Sequence, residues 1–335
     1  LRKLPTWKKQ RPETAAVLLN RWITKGINMN VLLTAILFLV LAICAFANDS
    51  AVETGVGGLK LRKEHSVLMK KERLYISRKM VKVEYEFLNT STEPVASEIA
   101  FPIPPVKFVV DDPGGRRDFT NFKAWINDSP VSVKKEIRAF VKDREVTEDL
   151  RKAKLSIETF GGYDVDAPTN PFETLKPEVR AKLVKIGALR AKDYWPQWEA
   201  HIKYHWHQEF PPRTIVRIKH AYTPVAGFGG ADIKDFKKYF KDTCIDQQTF
   251  SELKKREKDK FFNIEWVSYI LTTANTWKTP LEDFELIVEG KKGDLISFCW
   301  DGAVEKIGPE KFRAQVKDFV PKKELKVFFY SKFPI

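Results

Sequence analysis

Residues 198–227 read WEAHIKYHWHQEFPPRTIVRIKHAYTPVAG, and their reading decides the fold. Ile202, Tyr204, Trp206, Gln208 and Phe210 fall on one face of a two-residue period. His201, Lys203, His205, His207 and Glu209 fall on the other. After Pro211 and Pro212, Val216, Ile218, His220 and Tyr222 alternate with Ile215, Arg217 and Lys219. A period of two marks a half-buried strand, so the stretch predicts two strands joined as a hairpin at the prolines. It also holds four of the five histidines, the only concentration of candidate site chemistry in the chain.

The preceding segments carry the same period. Val81, Val83, Tyr85 and Phe87 alternate with Lys82, Glu84 and Glu86, and Asn89-Thr90-Ser91-Thr92 supplies a turn. A strand from Val95 to Phe101 is expected to stop at Pro102-Ile103-Pro104-Pro105, because proline cannot donate to a ladder. Phe122–Ile126 and Val131–Val141 add strands. The pattern breaks over 146–197, where Thr147 reads as a helix cap and Pro177 opens a second helix that ends near Gly187. Beyond the hairpin, a charged surface helix is expected near 246–262 and a buried central strand over Ile264–Thr273. Asp283–Glu289, Leu295–Trp300 and Leu325–Tyr330 complete the strands. The expected fold is mainly β (α+β overall), with antiparallel β-sandwich-like sheets, a small helical insertion and one surface helix. Its regions are 48–145, 146–197 and 198–335.

Ahead of them, Val31–Cys44 is a short apolar run that follows Arg21 and Lys25 and precedes Ala45-Phe46-Ala47. Basic region, apolar core and small-x-small site form a secretory signal, with cleavage expected after Ala47. The run falls short of the roughly 20 residues a spanning helix needs. A lipoprotein signal acylated at Cys44 and an uncleaved anchor are the alternatives. The first methionine is Met29, so translation from Met29 and from a non-standard start at Leu1 both fit. Export leads to a periplasmic or extracellular location. Past the signal only Cys244 and Cys299 remain, and an even number in an exported chain implies one disulfide; two separately buried thiols are the alternative.

The formal charge is +14, from 58 Lys and Arg against 44 Asp and Glu. Residues 1–47 hold seven of those bases and one acid, which leaves 51 and 43, a net +8, for residues 48–335. Such a surface suits an envelope protein or an anionic envelope surface as partner. It does not point to nucleic acid, because no recognition motif accompanies it. There is no G-x-S-x-G, H-E-x-x-H, phosphate loop or dinucleotide fingerprint.

His205 and His207, with His201 on the same strand face, are spaced to share one zinc or copper ion, with Glu209 as a further ligand. Lys203 on that face argues for the alternative, exposed histidines on an outer face. His220 beside Tyr222 on the apolar face reads as a core histidine or as a base in a cleft. Thr272–Trp277 reads as a polar turn with an exposed tryptophan. With Trp206, His220 and Tyr222, the turn residues Asn275 and Trp277 make up the candidate binding surface; a tryptophan capping the sheet end is the alternative for Trp277.

Five stretches together resemble one family of exported bacterial proteins, domain of unknown function 4424. They are NDSAVETGVGGLKL (48–61), VKVEYEFLNTSTEPVASEIAFPIP (81–104), YHWHQEFPPRTIVRIKHAYTPVAG (204–227), YILTTANTWKTPLEDFELIVEG (269–290) and KIGPEKFRAQVKDFVPKKELKVFF (306–329). The resemblance implies an exported protein of unassigned activity and brings no catalytic residues. Residues 81–104, ending in Phe101-Pro102-Ile103-Pro104, also resemble the first strands of vault/inter-α-trypsin-inhibitor-type domains.

Three readings of function are open to such a chain. One is an exported, non-enzymatic binding or structural β-sandwich protein of the cell envelope. Another is a metal-dependent or hydrolytic enzyme using the histidine-bearing segment 198–227. A basic protein that touches anionic lipid or glycan is the third.

Overall fold

The computed structural model describes residues 50–55, 58–61, 63–108, 121–164, 169–232, 243–256 and 261–332, all within one compact unit, Phe46–Ile335. The segment expected to be a secretory signal therefore lies outside the described residues. The first strands are β1 (Ser50–Gly55), β2 (Gly58–Leu61), β3 (Val67–Ile76), β4 (Val81–Asn89) and β5 (Val95–Lys107). Next come β6 (Lys123–Ile126), β7 (Ser129–Val131), β8 (Lys134–Val141), β9 (Arg144–Glu145) and two helices, α1 (Thr147–Lys152) and α2 (Pro177–Lys185). Strands β10 (Glu199–Phe210), β11 (Ile215–Tyr222) and β12 (Gly227–Asp232) lead to helix α3 (Gln247–Lys255). The chain ends with β13 (Phe261–Tyr269), β14 (Leu281–Glu289), β15 (Leu295–Phe298), β16 (Glu305–Gly308), β17 (Lys311–Phe319) and β18 (Leu325–Lys332).

These strands form three sheets. The first runs β2-β1-β5-β10-β8-β9, the second β16-β17-β14-β3-β4-β11-β6-β7, and the third β12-β13-β18-β15. The fold is mainly β, as the alternation requires. Strands before residue 146 pair with strands after residue 197 in both large sheets, so the three sequence regions are not separate folding units.

The faces of β10 and β11 are as expected: the five apolar-face residues of β10 and Val216, Ile218, His220 and Tyr222 are buried. Their pairing is not a hairpin. β10 joins β5 and β8 in the first sheet, while β11 joins β4 and β6 in the second. The chain crosses between sheets at residues 211–214, where the two prolines lack the N–H groups a hairpin ladder would use. β4 and β5 cross in the same way, so the expected meander is a pair of stacked arches. Asn89 holds the arches together. Its buried side chain donates to Phe210 O at 2.9 Å and Glu93 O at 2.8 Å, and accepts from Ser91 N at 2.9 Å. The two large sheets meet through rings: Phe122 stacks on Tyr204 at 4.2 Å, and Phe87 packs on Phe210 at 5.8 Å.

Other expectations need correction. β5 continues through Pro102, Pro104 and Pro105. β1 pairs only with residues 98–100 of β5, so beyond Ala100 the far side of β5 carries no ladder among the described residues, and an edge tolerates proline. Among the described residues one strand pairing is parallel, β3 with β14, and the others are antiparallel. Thr147 does not cap α1, because its hydroxyl accepts from Ala139 N at 2.9 Å. α2 does begin at Pro177, and Gly187 (φ 77°) closes it with Gly187 N→Val184 O and Ala188 N→Leu183 O bonds of 2.9 Å each. The charged helix is shorter than expected, capped by Asp246 on Thr249 N, and a strand has begun by Phe261. β13 ends at Tyr269, and Thr272–Thr276 is a 3₁₀ turn.

The third sheet buries its two faces differently. Val267, Val327 and Phe329 join the main core. On the other face Phe262, Ile264, Phe328 and Tyr330 pack with Phe250 and Leu253 of α3 and with Ile245 in a separate small core.

Candidate binding cleft

The histidine face of β10 lies on the outer side of the first sheet. Neighbouring strand β5 places Glu98 opposite His207. His205 Nδ1 lies 2.6 Å from one Glu98 oxygen and His207 Nδ1 lies 4.0 Å from the other. His201 turns away, to Glu199 at 3.5 Å and to the Phe140 ring at 4.6 Å. Burial holds its imidazole below the ordinary range, more strongly than Glu199 draws it up. Burial likewise lowers the Lys203 ammonium, with Glu136 opposing. The three histidines thus do not converge. Among the described residues no group of three or more His, Cys, Asp or Glu side chains is placed to hold a metal ion. Glu98 is not evident from local sequence because only strand pairing brings it to the histidines.

The other candidates are mostly interior. His220 is 1% exposed, inside a box of Phe101 (4.9 Å), Phe122 (5.1 Å), Trp206 (5.2 Å) and Tyr85 (5.6 Å). Burial pushes its pKa down to about 3, so it is neutral at physiological pH. Trp206 is buried in the same box. Trp277 is fully buried against Phe87 at 4.5 Å and Phe210 at 6.1 Å, which corrects its reading as exposed. The polar residues around it, Thr272–Thr276, form the turn that drives it inward. Asn275 is exposed and fastens that turn, with its amide donating to Pro321 O at 2.9 Å. These residues therefore offer no continuous surface.

Among the described residues a mostly apolar cleft of about 250 Å³ opens between the end of β5 and the third sheet, and a wider, charged depression of about 470 Å³ lies over Arg73, Tyr75, Lys82, Glu84 and Glu285 on the second sheet. To the cleft β5 contributes Ile103–Lys107, the segment joining β11 to β12 contributes Tyr222, Pro224, Val225 and Ala226, and the third sheet contributes Gly227, Phe228, Trp266 and Ser268. The β10–β11 segment thus ends at the cleft. Of the five residues expected to form a binding surface, Tyr222 alone lines it. α3 covers Phe262 and Ile264 of one β13 face; Trp266 and Ser268 continue that face into the cleft.

Trp266 is held from below. It is in register with Gly227, and a Cβ on Gly227 would lie 2.0 Å from the indole Cε2. The indole fills the space that glycine leaves, a cross-strand pairing that fixes the ring. Lys326 Nζ stands 5.0 Å from the ring centroid. Across the cleft, Lys107 is ion-paired to Glu199 at 2.9 Å. The buried hydroxyl of Tyr222 has no hydrogen-bond partner among the described residues, and burial raises its pKa so that it keeps its proton. No local pattern marks Gly227 and Trp266 as a pair, since 39 positions separate them and only the β12–β13 register joins them.

Two ties fasten the third sheet around this cleft. Cys244 and Cys299 form a disulfide, with Cα atoms 5.1 Å apart. Arg78, in the turn between β3 and β4, pairs through Nη1 with Asp294 and through Nε with Glu265 at 2.7 Å, its guanidinium 4.7 Å above Phe329.

The sequence profile of domain of unknown function 4424 (DUF4424) matches residues 47–328. The chain belongs to this family. No curated protein matches this DUF4424 chain. Among solved structures it is similar to a candidate nutrient-binding protein of Legionella pneumophila, at 15% identity and TM-score 0.44, covering 85% of this chain and 70% of that one. It is also similar to an M1 zinc metallopeptidase of Deinococcus radiodurans, at 9% identity and TM-score 0.30, covering 80% of this chain and 43% of that one. At these scores neither likeness bears on function.

Proposed function

We propose that this DUF4424 protein is exported and works by binding, without catalysing a reaction, and that the cleft between β5 and the third sheet is its binding site. The observation that carries this reading is the preformed wall: the indole of Trp266 is locked over Gly227, where a Cβ would lie 2.0 Å away. An apolar concavity with fixed walls and few polar groups is what small-ligand sites share. The remaining candidate residues are sealed in the core, engaged on an outer sheet face or, for Asn275, tied into a turn. Export is supported by the apolar run 31–44 with its A-x-A site and by the Cys244–Cys299 disulfide, which is favoured in oxidising compartments. Among the described residues no helix is long and apolar enough to cross a membrane. The protein would then act at the cell envelope or outside the cell.

The test is a thermal-shift screen of small molecules against the exported protein and its Ala226→Trp variant, which fills the cleft. Compounds that raise the Tm of the native protein and not of the variant are expected. Stabilisers that act equally on both would show that binding occurs elsewhere. N-terminal sequencing of the exported protein checks the leader, with Asn48 expected first.

A further inference from the structure

We propose a second binding site, on the outer face of the second sheet, that takes a segment of an acidic glycan, a chain of carboxylated sugar units. It shares no residue with the cleft and does not depend on the reading of the cleft.

The site is the depression of about 470 Å³ over β3, β4 and β14, together with a smaller one of about 150 Å³ at the β3–β4 turn. Tyr75, Ser77 and Lys79 line both, so the two are continuous. Strand register explains why an apolar floor lies in a charged face. One row across β14, β3 and β4 reads Asp283, Lys71 and Glu86, and the next reads Glu285, Arg73 and Glu84. Both rows alternate in charge. The third row reads Ile287, Tyr75 and Lys82, an aliphatic side chain and a ring with a lysine beside them and no acid.

Charge gives the sign of the ligand. The acids along the two depressions already face cations. Glu285 is held by Arg73 at 3.3 Å and Glu289 by Lys311 at 2.8 Å, while Glu84 stands in register between Arg73 and Lys219. Arg78 is engaged with Asp294 and Glu265. Lys79, Lys82 and Lys291 are exposed and have no ion-pair partner among the described residues. The turn that carries Lys79 is fixed by Ser77 N→Met80 O at 2.9 Å and Met80 N→Ser77 Oγ at 3.1 Å. Three unmatched ammonium groups along one depression favour a ligand with several spaced negative charges.

The floor gives the class. Tyr75 and Ile287 are half-buried at the bottom of the larger depression. A flat lipid surface would meet the rim and not this floor, whereas a single chain can lie along it. The negative face of an aromatic ring attracts the C–H face of a sugar ring. The sugar hydroxyls stay in water, which suits a depression that is open to solvent.

The experiment measures binding of a galacturonic acid hexamer to the exported protein by calorimetry at low salt. Maltohexaose is the neutral probe, and phosphatidylglycerol vesicles, read by cosedimentation, are the lipid probe. The acidic hexamer is expected to bind at least about tenfold more tightly than maltohexaose, and added salt should weaken it. The triple variant Lys79→Ala, Lys82→Ala, Lys291→Ala should bind it roughly tenfold more weakly, the worth of three exposed charge contacts. Lys152→Ala with Lys176→Ala and Lys185→Ala removes the same charge from exposed positions around the two helices and should change the affinity less than about twofold. Tyr75→Val should weaken the hexamer roughly fivefold through the lost ring face. Equal losses in the two triple variants would mean a general effect of basic charge and overturn the site. An affinity untouched by Tyr75→Val, or equal binding of maltohexaose, overturns the ligand class. Vesicle binding that Lys79→Ala, Lys82→Ala, Lys291→Ala removes, with no binding of the hexamer, would put an anionic membrane in place of the glycan. Failure of every probe to bind overturns the proposal outright and leaves the cleft unaffected.

Discussion

Between the two large sheets, Tyr85, Phe87, Phe210 and Trp277 are all 1% exposed or less, and their rings form a linked chain of contacts. On the outer face of the third sheet the core is small, limited to Ile245, Phe250, Leu253, Phe262, Ile264, Phe328 and Tyr330 among the described residues. Burial alone can hold the first region. The second has too little apolar surface for that, and a disulfide fastens it, while the Arg78 cluster ties the opposite face of the same sheet. The difference explains where the cleft lies. It opens where the small core gives out, along the β13 face beyond α3.

The largest effect should come from the disulfide. It closes a loop across 55 positions, so Cys244→Ser with Cys299→Ser should cost about 4 kcal/mol by chain entropy. Hydrogen exchange should rise in β12, β13, β15 and β18 while β4, β5, β10 and β11 stay protected. Uniform acceleration would mean that the two regions unfold as one. Arg78→Met should cost about 3 kcal/mol in denaturant unfolding, because Asp294 is left buried without its cation. Replacing Asp294 by Leu in the same chain should recover part of that loss.

Two further changes probe the sandwich instead. Asn89→Ala strips partners from the Phe210 and Glu93 carbonyls and should cost about 2 kcal/mol, spread over the whole unfolding transition. His220 offers a pH test. Its folded pKa of about 3 lies below the free value of 6.5, so the folded state excludes the proton that the unfolded chain binds. Its contribution is complete above pH 6.5 and is lost as pH falls toward 3. Between pH 6.5 and 5 the loss should reach about 2 kcal/mol. Denaturant midpoints of His220→Phe should lack that part of the acid dependence; an unchanged pH profile would mean that the imidazole is not sealed.

The faces of β10 and β11 are legible in the sequence because alternation reports which side of a strand is buried. It does not report which strand lies alongside. That is why two arches, split between sheets at residues 90–94 and 211–214, look in sequence like a meander and a hairpin. Pro102 to Pro105 look like a strand end because proline's missing donor is a local fact, whereas the unpaired side of β5 is a property of the whole sheet. Trp277 is hidden by its polar neighbours, whose turn points it inward. The disulfide is legible because only two cysteines follow the apolar run. The cleft is not, because its walls come from residues 103–107, 222–228 and 266–268 and no local pattern joins them. Its one foothold in the sequence is Tyr222, at the end of the stretch that carries the clearest alternation.

Trp266 itself offers the sharpest check on where the ligand sits. In protein labelled with ¹⁵N at the tryptophan indoles, the Trp266 resonance can be assigned by its loss in Trp266→Phe. Titration with a compound that stabilises the native protein in the thermal-shift screen should shift that resonance in a saturable way and leave the buried indoles of Trp198 and Trp277 unmoved. A saturable shift elsewhere, with Trp266 unchanged, would contradict the placement of the binding site in the cleft.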